Sequence, residues 1–147
     1  MGMDVYGKSG NYFRNNVWWW RPLADYIKEV APEEITSNCQ YWQSNDGDGL
    51  DAENSKKLAD FLQAEIDSGR TKAYEAEYEK SQDALPDEKC DLCNGTGQRN
   101  DNIIQGTCNK CKGKGKVRPW PTYYPFSAEN VQEFVNFLKE SEGFEIC

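Results

Sequence analysis

The 147-residue sequence contains no histidine. That absence removes the imidazole general base, the Ser-His-Asp and Cys-His nucleophile systems, and every histidine-containing metal centre that one chain can build by itself. No stretch approaches the roughly 18 apolar residues that a membrane span requires. The opening segment, Met1-Gly-Met-Asp-Val-Tyr6, lacks the apolar core of a secretion signal. The expectation is a soluble, unexported, cytoplasmic protein without membrane contact. Also missing are a Gly-rich phosphate loop of Walker type, a recognisable pair of catalytic carboxylates, and a nucleophile with its base, so the chain reads as non-enzymatic.

What is present is enough for a core: 37% hydrophobic and 13% aromatic residues in a chain of ordinary domain length. Seventeen basic and 25 acidic side chains leave a net charge of −8. The charge is unevenly spread. Residues 89–118 hold seven basic groups against two acidic ones, whereas residues 31–88 hold five against fifteen, and residues 119–147 one against five. A basic island therefore sits between acidic flanks, and both offer surfaces to partners.

Periodicity and turn chemistry predict an α+β, mainly helical fold, a single small domain over residues 1–147. A short strand is expected near Asp4–Tyr6, followed by a Gly7–Gly10 turn. Pro22 suits a first helical position, and Leu23, Tyr26, Ile27 and Val30 recur at helical spacing, which predicts a helix over 22–30. Asp51 reads as the N-cap of a helix carrying Leu58, Phe61, Leu62 and Ile66 up to Gly69. Residues 71–84 read as a solvated helix. Ser127-Ala-Glu-Asn repeats the Asp51-Ala-Glu-Asn pattern and marks another helix start. Trp18, Trp19 and Trp20 cannot all face one way on a helix or a strand, so at least one should reach the surface.

The most specific signal is Cys90-Asp-Leu-Cys93-Asn-Gly-Thr-Gly97, echoed by Cys108-Asn-Lys-Cys111-Lys-Gly-Lys-Gly115. Each Cys-x-x-Cys turn places two thiolates on one metal ion, and the glycines permit the positive φ that lets backbone N–H groups point at sulfur. Four thiolates make a closed tetrahedral site, so the expected cofactor is one structural Zn²⁺ held by Cys90, Cys93, Cys108 and Cys111 in a hairpin insert over 88–118. Such a zinc has no open position for activating water. Cys39 and Cys147 fall outside the pattern and read as ordinary thiols.

The paired CxxCxGxG units resemble the cysteine-rich region of DnaJ-type co-chaperones and of small zinc proteins that share it, and the resemblance implies ligation by those four cysteines. The N-terminal Asp4-Val-Tyr-Gly and Tyr12-Phe-Arg-Asn-Asn-Val-Trp-Trp-Trp-Arg-Pro-Leu, with the C-terminal Gly-Phe-Glu-Ile, are similar to small proteins of phages and bacteria. That likeness implies a setting among phage anti-defence proteins, including anti-CRISPR inhibitors.

Three functional expectations follow. In the first, the protein is a zinc-stabilised protein-binding module, a phage inhibitor that occludes a host nucleic-acid-directed effector such as a CRISPR nuclease. Its contact set would be Asp46, Asp48, Asp51, Glu53, Glu75, Glu77 and Glu79, carboxylates able to occupy a basic groove. In the second, it is a small nucleic-acid-binding regulator that uses Lys110, Lys112, Lys114, Lys116, Arg118 and Trp120 to hold phosphates and stack bases. The third is a DnaJ-like chaperone adaptor.

Overall fold

Alternation of buried and exposed residues builds the main sheet. In β1 (Gly2–Gly7), Met3 and Val5 turn inward, while Asp4 and Tyr6 turn outward against Arg14 and Tyr12 of β2 (Tyr12–Asn16). The chain's last strand, β8 (Phe144–Ile146), pairs antiparallel with β1 and also with the short β3 (Gly49–Leu50), giving the order β2-β1-β8-β3. Phe144 and Ile146 face the core, and Glu145 faces out.

The computed structural model describes all 147 residues, and the chain divides into two compact units: Met1–Glu79 with Tyr124–Cys147, and Lys80–Tyr123. The fold is mixed α+β and mainly helical, with five α-helices. A short α2 (Glu33–Thr36) follows α1 (Val17–Val30).

In the first unit, α1 runs Val17–Val30, five residues longer at its start than the proline signal implies. The Asn16 side chain is the actual cap, accepting from the Trp19 N–H at 3.1 Å. Pro22 lies inside the helix and is buried. It supplies no N–H to the Trp18 carbonyl, a loss offset by packing around Trp20, Leu23, Ala24, Tyr26 and Ile27. The tryptophan run resolves by helical rotation. Trp20 is fully buried and its indole N–H donates to the Trp42 carbonyl at 2.7 Å, while Trp18 and Trp19 are half-buried.

Helices α3 (Ala52–Asp67) and α5 (Ala128–Ser141) share one cap geometry: Asp51 accepts from the Asn54 N–H, and Ser127 from the Asn130 N–H. They pack on each other and are bridged by Gln63 and Gln132. The expected solvated helix is α4 (Arg70–Asp83), and it is less solvated than its composition implies. Tyr74 and Tyr78 join the core against Phe126, and Thr71 hydrogen-bonds the buried Tyr26 hydroxyl at 2.8 Å.

In the second unit, two short ladders carry the chain out and back. β4 (Glu88–Lys89) pairs with β7 (Lys116–Val117), and β5 (Gln98–Asn100) pairs with β6 (Gln105–Thr107) as a hairpin. Asp101 closes that hairpin by accepting from the Ile103 and Ile104 N–H groups, both at 2.8 Å. A single 3₁₀ turn, Trp120–Tyr123, ends the unit.

Candidate metal centre

Each cysteine pair lies in a tight turn beside a ladder, the first between β4 and β5 and the second between β6 and β7. The two turns are arranged alike. The Gly97 N–H donates to Cys93 Sγ at 3.2 Å, and the Gly115 N–H donates to Cys111 Sγ at 3.2 Å. They also exchange backbone bonds: Cys90 N–H to the Gly115 carbonyl at 3.0 Å, and Cys108 N–H to the Gly97 carbonyl at 2.9 Å. Gly97 and Gly115 have φ of +78° and +76°, and a Cβ on either would sit 2.5 Å from a carbonyl oxygen of the facing turn. Only glycine allows both that backbone conformation and that approach.

The result is one buried cluster. The Sγ atoms of Cys90, Cys93, Cys108 and Cys111 all lie within 4.8 Å of one another. Cys90 and Cys108 are 3.9 Å apart, and Cys93 and Cys111 are 3.6 Å apart. Val117 packs against the cluster, and no other cysteine reaches it. Burial opposes ionisation of Cys93, but donation from Gly97 and the nearby sulfurs of Cys111 and Cys90 outweigh it and bring the thiol down to about 6. Cys108 is lowered chiefly by donation from the Cys111 N–H. These four sulfurs can hold one metal ion, as the spacing implied. Cys39 differs in kind, because burial pushes its thiol up to about 12 and leaves it inert. Cys147 is exposed.

Around the four cysteines, the basic residues converge. In Lys110-Cys-Lys-Gly-Lys-Gly-Lys-Val-Arg118, Cys111 and Val117 pack in the sulfur cluster while the five cations are exposed. Lys110, Lys112, Lys114, Lys116 and Arg118 line one open groove of about 300 Å³ together with Asp87 and Tyr123. Arg118 is partly a strap, donating to the Gln82 and Leu85 carbonyls and pairing with Asp87 at 2.8 Å. Lys116 lies 3.6 Å from the same carboxylate, and Lys110 pairs with Asp91. Lys112 and Lys114 belong to none of the eight ion pairs of the chain. Trp120 does not line the groove but contacts Tyr123, with ring centroids 6.3 Å apart. Sequence reasoning missed Asp87, whose only signal was its place before the first ladder.

The acidic candidates are spread over three elements. Asp48 ties its own loop, accepting from the Gln40, Tyr41 and Gly49 N–H groups. Asp51 caps α3. Glu75 is buried, pairs with Lys72, and accepts from the Ala128 N–H at 3.0 Å, so it acts at the start of α5. Asp46, Glu53, Glu77 and Glu79 stand in solvent, Asp46 beside Ser44 and Glu53 paired with Lys57. Two residues apart on α4, Glu77 and Glu79 point in different directions.

Comparison with protein-family models, with curated proteins and with solved structures finds no match to this chain. No helix is long and apolar enough to cross a membrane.

Proposed function

We propose that the chain is a non-enzymatic protein-binding module whose second unit is organised by a single structural zinc. The observation that carries this reading is the four-sulfur cluster. A tetrahedral ion with zinc–sulfur bonds of about 2.3 Å sets its ligand sulfurs roughly 3.8 Å apart; Cys90–Cys108 at 3.9 Å and Cys93–Cys111 at 3.6 Å are close to that edge, and all four sulfurs lie within 4.8 Å of one another. Cys90, Cys93, Cys108 and Cys111 would fill all four positions, so the ion supplies rigidity and no Lewis-acid chemistry. Four thiolates on Zn²⁺ leave a local charge of about −2, which the Gly97 and Gly115 N–H groups and the surrounding lysines offset.

The binding partner in this reading is a protein with a cationic surface. The first unit carries nine basic and twenty acidic side chains, a net charge of −11, against +3 for the second. A charge of that size attracts a basic groove and, once docked, occludes it. A phage inhibitor of a nucleic-acid-directed effector such as a CRISPR nuclease is the specific form of this reading. Because Asp48, Asp51 and Glu75 serve the fold, the contact set narrows to Asp46, Glu53, Glu77 and Glu79.

The test has two parts. Elemental analysis of protein purified without added metal should give one zinc per chain and no iron. Zinc-loaded protein should then capture a partner from nuclease-treated bacterial lysate, and the Glu53→Lys/Glu77→Lys/Glu79→Lys variant should lose it. Retention by that triple variant overturns the acidic contact set, and a metal content near zero overturns the zinc assignment.

A further inference from the structure

We propose that the groove on the second unit is a binding site for single-stranded nucleic acid, gripped by phosphate contacts to Lys112 and Lys114 and by base stacking on Trp120 and Tyr123. The proposal rests on the zinc-organised unit but not on the occlusion reading.

The residue types, their geometry and their exposure all point to the same ligand class. Five cations and one carboxylate line an open groove of about 300 Å³. Lys110, Lys116 and Arg118 have acidic neighbours, whereas Lys112 and Lys114 are exposed and outside every ion pair. The chain there is a turn around Cys111, with Gly113 and Gly115 at positive φ, and both lysines stay exposed on it. Lys112 is held at φ +54°, within the turn that also positions Cys111. Its backbone is thus fixed by the same geometry that builds the sulfur cluster. Two such lysines on a rigid turn form a charge pair for successive phosphates, with less ordering cost than lysines on a mobile loop.

The aromatic residues select the strand type. Trp120 is 60% exposed and Tyr123 48% exposed, and the two rings adjoin each other. Tyr123 lines the groove, and the Trp120 ring lies at an interplanar angle of 81° to the Tyr123 ring. Exposed aromatic residues beside a cationic groove suit unstacked bases, which every single strand offers and a duplex does not. An acidic or phosphorylated peptide would satisfy the lysines but leave the rings without a matching surface.

The experiment measures binding of zinc-loaded full-length protein to fluorescein-labelled dT20, rU20 and a 20-base-pair duplex by anisotropy across a salt series. Both single strands should bind, since phosphate and base face are common to them, and the duplex should bind at least tenfold more weakly. Lys112→Gln/Lys114→Gln should weaken dT20 binding tenfold or more and reduce the salt slope by about 1.4, at about 0.7 per phosphate contact on a single strand. Trp120→Ala should cost about tenfold with the slope unchanged. Zinc content per chain is measured for each variant, and Lys112→Arg/Lys114→Arg, which keeps the charge, should restore binding. Equal affinity for duplex, displacement of dT20 by polyglutamate at matched charge, or wild-type binding by the Gln variant would each overturn the assignment.

Discussion

Single residues decide the metal unit more sharply than its composition does. Gly97 and Gly115 each combine a positive φ with a facing carbonyl 2.5 Å from where a Cβ would lie. Gly10, at φ +97°, has nothing within 4 Å of that position. Gly97→Ala and Gly115→Ala should therefore weaken metal binding by tenfold or more in chelator competition, while Gly10→Ala leaves it unchanged. The φ strain alone costs about 1–3 kcal/mol, and the clash adds to it. Asp48 makes a second residue-scale case. Partial burial opposes its ionisation, but three backbone N–H donors hold its carboxyl below the ordinary carboxylate range. A depressed folded-state value stabilises the protein above the unfolded carboxyl value of about 3.9, and the gain disappears as pH falls through the lower folded value. Asp48→Asn should accordingly lower the melting temperature at pH 7, and the gap from wild type should close as the pH approaches 2.

At the scale of elements, caps and close packing set the boundaries. Asp51 and Ser127 each accept one otherwise unpaired N–H, so Asp51→Ala and Ser127→Ala should each destabilise the protein by about 1 kcal/mol. Urea unfolding followed by far-ultraviolet circular dichroism reads that loss directly. Glu75 adds a tertiary cap to α5, so Glu75→Ala should cost at least as much, and Glu75→Gln, which keeps an acceptor oxygen, should cost less. These caps were legible in the sequence for α3 and α5, where Asp51 and Ser127 precede regular apolar spacing. The start of α1 was not. Pro22 is a strong local signal for a first turn, yet Asn16 caps the helix and tertiary burial of Trp20 extends it across the proline. Strand β8 also escaped sequence reasoning, because three residues of alternation in Phe144–Ile146 carry little signal until β1 and β3 flank them.

For the molecule as a whole, the two units draw on different sources of stability. The first has a core of aromatic and aliphatic side chains, among them Trp20, Trp42, Phe134 and Phe144, all at most 1% exposed. In the second, the buried hydrophobic residues are the four cysteines themselves, with Val117 half-buried beside them. Structural zinc contributes an apparent ~10–16 kcal/mol in finger peptides, whereas Val117 and short ladders provide little. Chelation should thus abolish amide protection over residues 88–118 while α1, α3 and α5 keep theirs, as hydrogen exchange would show. Loss of protection throughout both units would mean that the metal also holds the first unit together. By itself the sequence picked out the four cysteines that the structure brings together, because a Cys-x-x-Cys-x-Gly-x-Gly turn encodes its own geometry within eight residues, and the mainly helical α+β class, because helical spacing is local. Only the tertiary structure decided that Asp48 and Glu75 serve the fold, that Lys110 to Arg118 share one groove, and that Trp20 is the buried member of its run. Those outcomes depend on which distant backbone N–H, carboxylate or ring arrives beside each side chain, and that pairing is set by the closing of the chain rather than by any local pattern.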